Sequence, residues 1–155
     1  MSDHYIRLVP TDPNWQPDPR AAAAVVAYVA SLFSGPGDAV DEVKQTFYDR
    51  VTLIDAGMYT ERITCPRCAR TISMDWLGDL VRDNGTSFDH LDVAVPCCGA
   101  VVGLNTLHYE EPIGFARFEV SALNATRARY ELDTDELARA ADLLGHPVAQ
   151  ILARY

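Results

Sequence analysis

Lysine is almost missing from this chain: Lys44 is the single one in 155 residues, and arginine raises the basic total only to 13 against 22 acidic side chains. The resulting formal net charge of −9 repels a phosphate backbone over most of the surface and disfavours general nucleic-acid binding. Because Lys44 follows Val43, no Gly-x-x-x-x-Gly-Lys loop exists, which excludes ATP hydrolysis by a P-loop. No H-E-x-x-H pair and no G-x-S-x-G elbow is present, so the signatures of zinc proteases and serine hydrolases are also missing. Long apolar runs are absent too. The longest, Ala21 to Ala30 extended through Phe33, falls short of the roughly 20 residues that a membrane span needs. Pro10 to Asp18 ahead of it carries no positive segment of the kind that opens a secretory signal, so a cytoplasmic location is expected.

What is present is ordinary globular material, 48% hydrophobic and 23% charged, at a length suited to one domain. His4 to Val9 has the β-branched and apolar content of a short strand. Asp18 and Pro19 suit the cap and first position of a helix that runs to about Phe33, with Val25, Tyr28, Val29 and Leu32 inward and Ser34-Gly35-Pro36-Gly37 as its stop. Val40 to Ile54 is rich in β-formers and reads as two strands. Gly114 to Ala122 alternates cleanly, with Ala116, Phe118, Val120 and Ala122 on one face and Arg117, Glu119 and Ser121 on the other. Asp133 or Thr134 can cap a last helix bearing Leu137, Ala141 and Leu144, which Gly145 and Pro147 end before a final strand from Val148 to Tyr155. Strand, helix, strand at each end is the order of a split βαβ, ferredoxin-like α+β body. That body is expected over 1–50 and 112–155, with 51–111 as an insert within a single domain.

All four cysteines lie in the insert. Its expected pieces are a strand leading to Thr64, the turn Cys65-Pro66-Arg67-Cys68, a helix from about Ser73 to Arg82, a strand from His90 to Val95, and the turn Pro96-Cys97-Cys98-Gly99. Two cysteines separated by two residues in a tight turn can aim both thiolates at one cation, at about 2.3 Å for zinc. Cys65 and Cys68 meet that condition. Cys97 and Cys98 are adjacent, and adjacent side chains in extended chain diverge, so the backbone must bend there for both sulfurs to converge. Pro96 and Gly99 permit the bend, and the 28 residues from Ala69 to Pro96 leave room for the helix between the turns.

A shared zinc held by Cys65, Cys68, Cys97 and Cys98 is therefore the leading expectation, with His108 or His90 replacing one sulfur as the alternative. A Cys97–Cys98 disulfide is disfavoured, since adjacent Cα atoms lie about 3.8 Å apart, below the usual disulfide range. A redox CxxC needs a helix N-terminus, whereas Cys65 follows a strand and Ala69 to Ile72 reads as another. A zinc deaminase needs H-x-E ahead of its cysteines, and His108-Tyr109-Glu110 comes after them.

The turn Cys65-Pro66-Arg67-Cys68 resembles the C-P-x-C knuckle of zinc ribbons, and Pro96-Cys97-Cys98-Gly99 resembles a second knuckle without the two-residue gap. From Tyr5-Ile6-Arg7-Leu8-Val9-Pro10-Thr11-Asp12-Pro13 through Gly114-Phe115-Ala116-Arg117-Phe118, the wider arrangement is similar to an uncharacterised bacterial family, which implies no activity.

Four thiolates close a zinc site to water and substrate, so the metal is expected to be structural. No catalytic residue is assigned; the loop Asn105 to Pro112, with His108 beside two glutamates, reads as a solvated connection, and Trp15 and Trp76 as packing anchors. A non-enzymatic zinc protein that binds another protein is the reading, with the acidic charge steering it toward basic partners. Two alternatives stand beside it. One is an enzyme with an open or histidine-completed zinc. The other is nucleic-acid binding through Arg62, Arg67 and Arg70 around the first turn, whose plainer role is to offset thiolate charge.

Overall fold

The computed structural model describes residues 2–57 and 62–155; of the expected insert, 58–61 lie outside the described residues. Four long strands and two helices come from the ends of the chain: β1 (His4–Pro10), α1 (Pro19–Ser31), β2 (Glu42–Ile54), and later β9 (Gly114–Leu123), α3 (Thr134–Leu144) and β10 (Val148–Arg154). Between β2 and β9 lie β3 (Ile63–Thr64), β4 (Thr71–Ile72), α2 (Met74–Asn84), β5 (Ser87–Phe88), β6 (Asp92–Ala94), β7 (Val101–Gly103), a single 3-10 turn (Leu104–Thr106) and β8 (His108–Tyr109).

The large sheet has the order β10-β1-β9-β2-β5, with every neighbouring pair antiparallel. Each connecting helix thus skips a strand: α1 leads from β1 to β2 with β9 between them, and α3 leads from β9 to β10 with β1 between them. The register pairs Ile6 with Ala122 and Leu8 with Val120, which places these apolar side chains on one face. Against it α1 packs Ala22, Val25 and Val29, and α3 packs Ala140 and Leu144, closing the main core around Phe118.

Both helices have capped starts. The Asp18 carboxylate accepts the Ala21 N–H at 2.8 Å, an interaction that contributes about 1 kcal/mol at such positions. Asp133 and Glu136 form a reciprocal capping box. Gly145 ends α3 at φ +87°, a conformation that a Cβ would oppose, and donates its N–H to the Ala141 carbonyl.

Several expectations need correction. Instead of two strands within Val40 to Ile54 there is one, Glu42–Ile54, because β2 lies on β9 on both sides of an irregularity; the chain from Phe47 to Thr52 bulges over the short step from Phe118 to Ala116 and then resumes pairing. The strand expected over His90 to Val95 is present but shorter, as Asp92–Ala94, which pairs with Val101–Gly103; ahead of it, Ser87–Phe88 forms an unexpected strand on the edge of the large sheet through Val51 and Thr52. Glu119 and Ser121, expected on a polar face, are buried, since Arg7 and Tyr48 close over Glu119. The stretch Asn105 to Pro112 is not merely a connection: β8 pairs with β3, and the Tyr109 hydroxyl donates to the Leu104 carbonyl at 2.7 Å.

A second buried cluster collects Ile63, Cys65, Ile72, Leu77, Val95, Val102, Leu104 and Leu107, and it reaches the large sheet through Val51, Phe88 and Phe115. Trp76 packs against this cluster, and Trp15 stacks on His146 at 4.4 Å beside the main core. Among the described residues no helix is long and apolar enough to cross a membrane.

Candidate metal centre

Each cysteine pair sits at the tip of its own hairpin. Around the first turn, Ile63 pairs with Ile72 and Thr64 with Thr71; around the second, Val93 pairs with Val102 and Ala94 with Val101. The strands that carry the two turns belong to separate small sheets, β4-β3-β8 and β6-β7. Those strands are therefore not paired with one another. Apolar packing brings the tips together, with Ile63 and Ile72 buried beside Val95 and Val102.

Within the first turn the Cys65 N–H donates to the Arg70 carbonyl at 2.9 Å and the Ala69 N–H to the Cys65 carbonyl at 3.0 Å. Ala69 takes φ +61°, which turns the chain back after Cys68. In the second turn the Val95 N–H donates to the Ala100 carbonyl at 3.0 Å, and the Gly99 N–H to the Val95 carbonyl at 2.9 Å, with Gly99 at φ +73°. This is the bend that adjacent cysteines require.

The result is that Cys65, Cys68, Cys97 and Cys98 each offer a sulfur within 4.8 Å of the other three. Cys65 Sγ and Cys98 Sγ are 4.0 Å apart, close to the separation of two ligands on one tetrahedral ion. No disulfide links them. Cys65 is buried, Cys68 and Cys97 are half-buried, and Cys98 is exposed. Such a set of soft donors can hold a metal ion.

Thiolate character is uneven across the set. The backbone N–H groups of Cys68 and Arg67 stabilise the Cys65 thiolate and bring its pKa down to about 7 against the opposing effect of burial. The Arg67 N–H lies 3.4 Å from Cys65 Sγ. Burial, followed by the sulfurs of Cys68 and Cys65, pushes the Cys97 thiol up to about 12. A cation among the four sulfurs would remove this conflict by taking all of them as thiolates.

Neither histidine weighed at the sequence level joins the group. His90 is exposed beyond β5, and His108 lies on β8 opposite Thr64, lining a cavity of about 240 Å³ with Arg62, Thr64, Tyr109 and Glu110. Arg62, Arg67 and Arg70 are all exposed near the first turn. The chain matches no family model, no curated protein and no solved structure.

Proposed function

We propose that this chain is a non-enzymatic zinc-binding protein in which Cys65, Cys68, Cys97 and Cys98 hold one structural zinc. The observation that carries the reading is the mutual closeness of four sulfurs from two separate hairpins. Soft thiolates favour zinc over magnesium or calcium, and a four-sulfur shell leaves no position for water or substrate. The short strands around the turns support a structural role, because β3, β4, β6 and β7 have two or three residues each and need an added tie to hold the tips together. The body is ferredoxin-like in this reading, supported by a strand order in which each helix links strands that are one apart. The zinc module inserted into it follows the end of β2 at Ile54 within the expected 51–111, with β5 extending the large sheet.

Action through a protein partner completes the proposal. The formal charge of −9, made more negative by four thiolates around a divalent ion, favours a basic partner and opposes nucleic acid. Elemental analysis and X-ray absorption on protein purified without chelator test the metal. One zinc per chain with four sulfur neighbours is the expected outcome. Substoichiometric metal, or nitrogen or oxygen in the shell, overturns the assignment.

A further inference from the structure

The two cysteine turns are copies of one structural unit, offset by a constant interval in the sequence. Ile63↔Ile72 corresponds to Val93↔Val102, and Thr64↔Thr71 to Ala94↔Val101. Backbone bonds at the tips correspond as well: Cys65 N to Arg70 O matches Val95 N to Ala100 O, and Ala69 N to Cys65 O matches Gly99 N to Val95 O. Ala69 and Gly99 share the left-handed conformation. This superposition sets Pro66 on Pro96 and Cys68 on Cys98.

It also sets Cys65 on Val95 and Arg67 on Cys97. Cys65 and Val95 are each 1% exposed and belong to the same buried cluster, so the correspondence holds in packing as well as in backbone. The second hairpin therefore carries valine where the first carries its inner ligand. Its sulfur comes instead from the middle of the turn, where the first hairpin bears the exposed Arg67.

We infer that Cys97 is a substitute ligand for a first-position thiol that Val95 displaces, and that it is the member of the set that exchanges. The inference rests on the metal reading proposed above. Position 95 corresponds to the position from which Cys65 reaches the other sulfurs, so a thiol placed there enters the same volume. In the first turn the Arg67 N–H donates to the Cys65 sulfur at 3.4 Å. The corresponding N–H, that of Cys97, has methyl groups of Val95 where that sulfur would stand, and they accept no hydrogen bond. Among the described residues no backbone N–H donates to Cys97 Sγ either, and a thiolate without such donors holds its metal less firmly, because outer hydrogen bonds offset the charge of the ligand. Cys97 also leaves the turn from a position that the first hairpin gives over to solvent.

Four proteins decide the matter: the native chain, the single variants Cys97→Ala and Val95→Cys, and the double variant that combines them, each purified with zinc and challenged with a chromogenic chelator. Cys97→Ala is expected to bind zinc at least tenfold more weakly than the native chain. The double variant is expected to regain one zinc with four sulfurs and to release it to the chelator at least tenfold more slowly than the native chain. Val95→Cys, which keeps all four native thiols and adds a fifth, is expected to show one thiol open to alkylation while loaded with zinc, and peptide mapping is expected to place it at Cys97. A double variant as weak as Cys97→Ala, or alkylation of the introduced thiol in place of Cys97, overturns this inference while the metal reading stands. A native chain that takes up no metal overturns the metal reading and this inference with it.

Discussion

Arg7 and Glu119 meet across the neighbouring strands β1 and β9 of the sheet, with Nη1 of the arginine 3.2 and 3.1 Å from the two carboxylate oxygens. Glu119 is only 4% exposed, and its second contact is the Tyr48 hydroxyl, which donates to it at 2.5 Å. Arg7 is held in turn by the Tyr155 hydroxyl at 2.9 Å and by the faces of the Tyr5 and Tyr155 rings. Burial sets up the interdependence: Arg7 is driven above its usual pKa by Glu119 despite its own desolvation, while burial and the bond to Glu119 raise Tyr48.

Removing one partner leaves the other charge stranded. Arg7→Met is expected to destabilise the fold by about 3–5 kcal/mol, whereas Arg7→Met combined with Glu119→Leu is expected to recover most of that loss. Urea denaturation of the two variants and the native chain checks this. Equal losses in the single and double variants would contradict it.

A second ion pair governs acid behaviour. Arg127 makes two 2.7 Å bonds to Glu136 and lowers its pKa, with the Asp133 N–H adding to the effect against partial burial. A carboxylate lowered on folding contributes stability that is present above its unfolded pKa and disappears as pH falls through its folded value. The native chain is therefore expected to exceed Glu136→Gln in stability by on the order of 1 kcal/mol near neutral pH, with the difference shrinking below the usual carboxylate range. A pH series of urea midpoints for the two proteins measures it.

The body was readable because its signals are local. Asp18-Pro19 and Asp133 or Thr134 mark two helix starts, Gly145 marks an end, and the alternation from Gly114 to Ala122 marks a strand. Those elements also impose the order from which the sheet follows. The cysteine cluster was readable from residue type and spacing. Of the short strands, those at Thr64, Ile72 and Asp92–Ala94 were legible, whereas His108–Tyr109 and Ser87–Phe88 were not, since these are defined by partners far along the chain, Ile63–Thr64 and Val51–Thr52. Glu119 escaped for a related reason: nothing in its own neighbourhood shows that Arg7 will cover it. The hairpin repeat left a trace in Cys65-Pro66-x-Cys68 and Val95-Pro96-x-Cys98, but aligning on proline rather than cysteine was needed to expose it.

Ala69 marks a small source of strain. It occupies the left-handed region at φ +61°, where its counterpart in the second turn is glycine. An L side chain costs roughly 1–2 kcal/mol there, part of which glycine's greater freedom in the unfolded chain offsets. Ala69→Gly is expected to raise stability by about 0.5–1 kcal/mol with the metal content unchanged, as read by thermal denaturation and elemental analysis. A loss of stability would show that the Ala69 methyl makes a contact of greater weight than the strain.

Metal removal separates the two buried clusters. The main core joins α1 and α3 to the long strands β1, β9 and β10 and contains no cysteine, whereas the second cluster includes Cys65 and packs Cys68 and Cys97 at its edge. Binding energy at a structural site is folding energy for the segment that forms it. Chelation, or Cys68→Ser, is therefore expected to abolish slow hydrogen exchange at the Cys65, Ala69, Val95 and Gly99 amides, which close the two turns. Amides of β1 paired with β9, such as Ile6 and Leu8 opposite Ala122 and Val120, are expected to keep most of their protection. The same divided pattern is expected on acidification, because protons compete with the cation for the thiolates and release it before the body unfolds. Uniform loss across both sets would mean that the clusters fold as one unit through Val51, Phe88 and Phe115, and undiminished protection at the turns would remove the structural role of the metal.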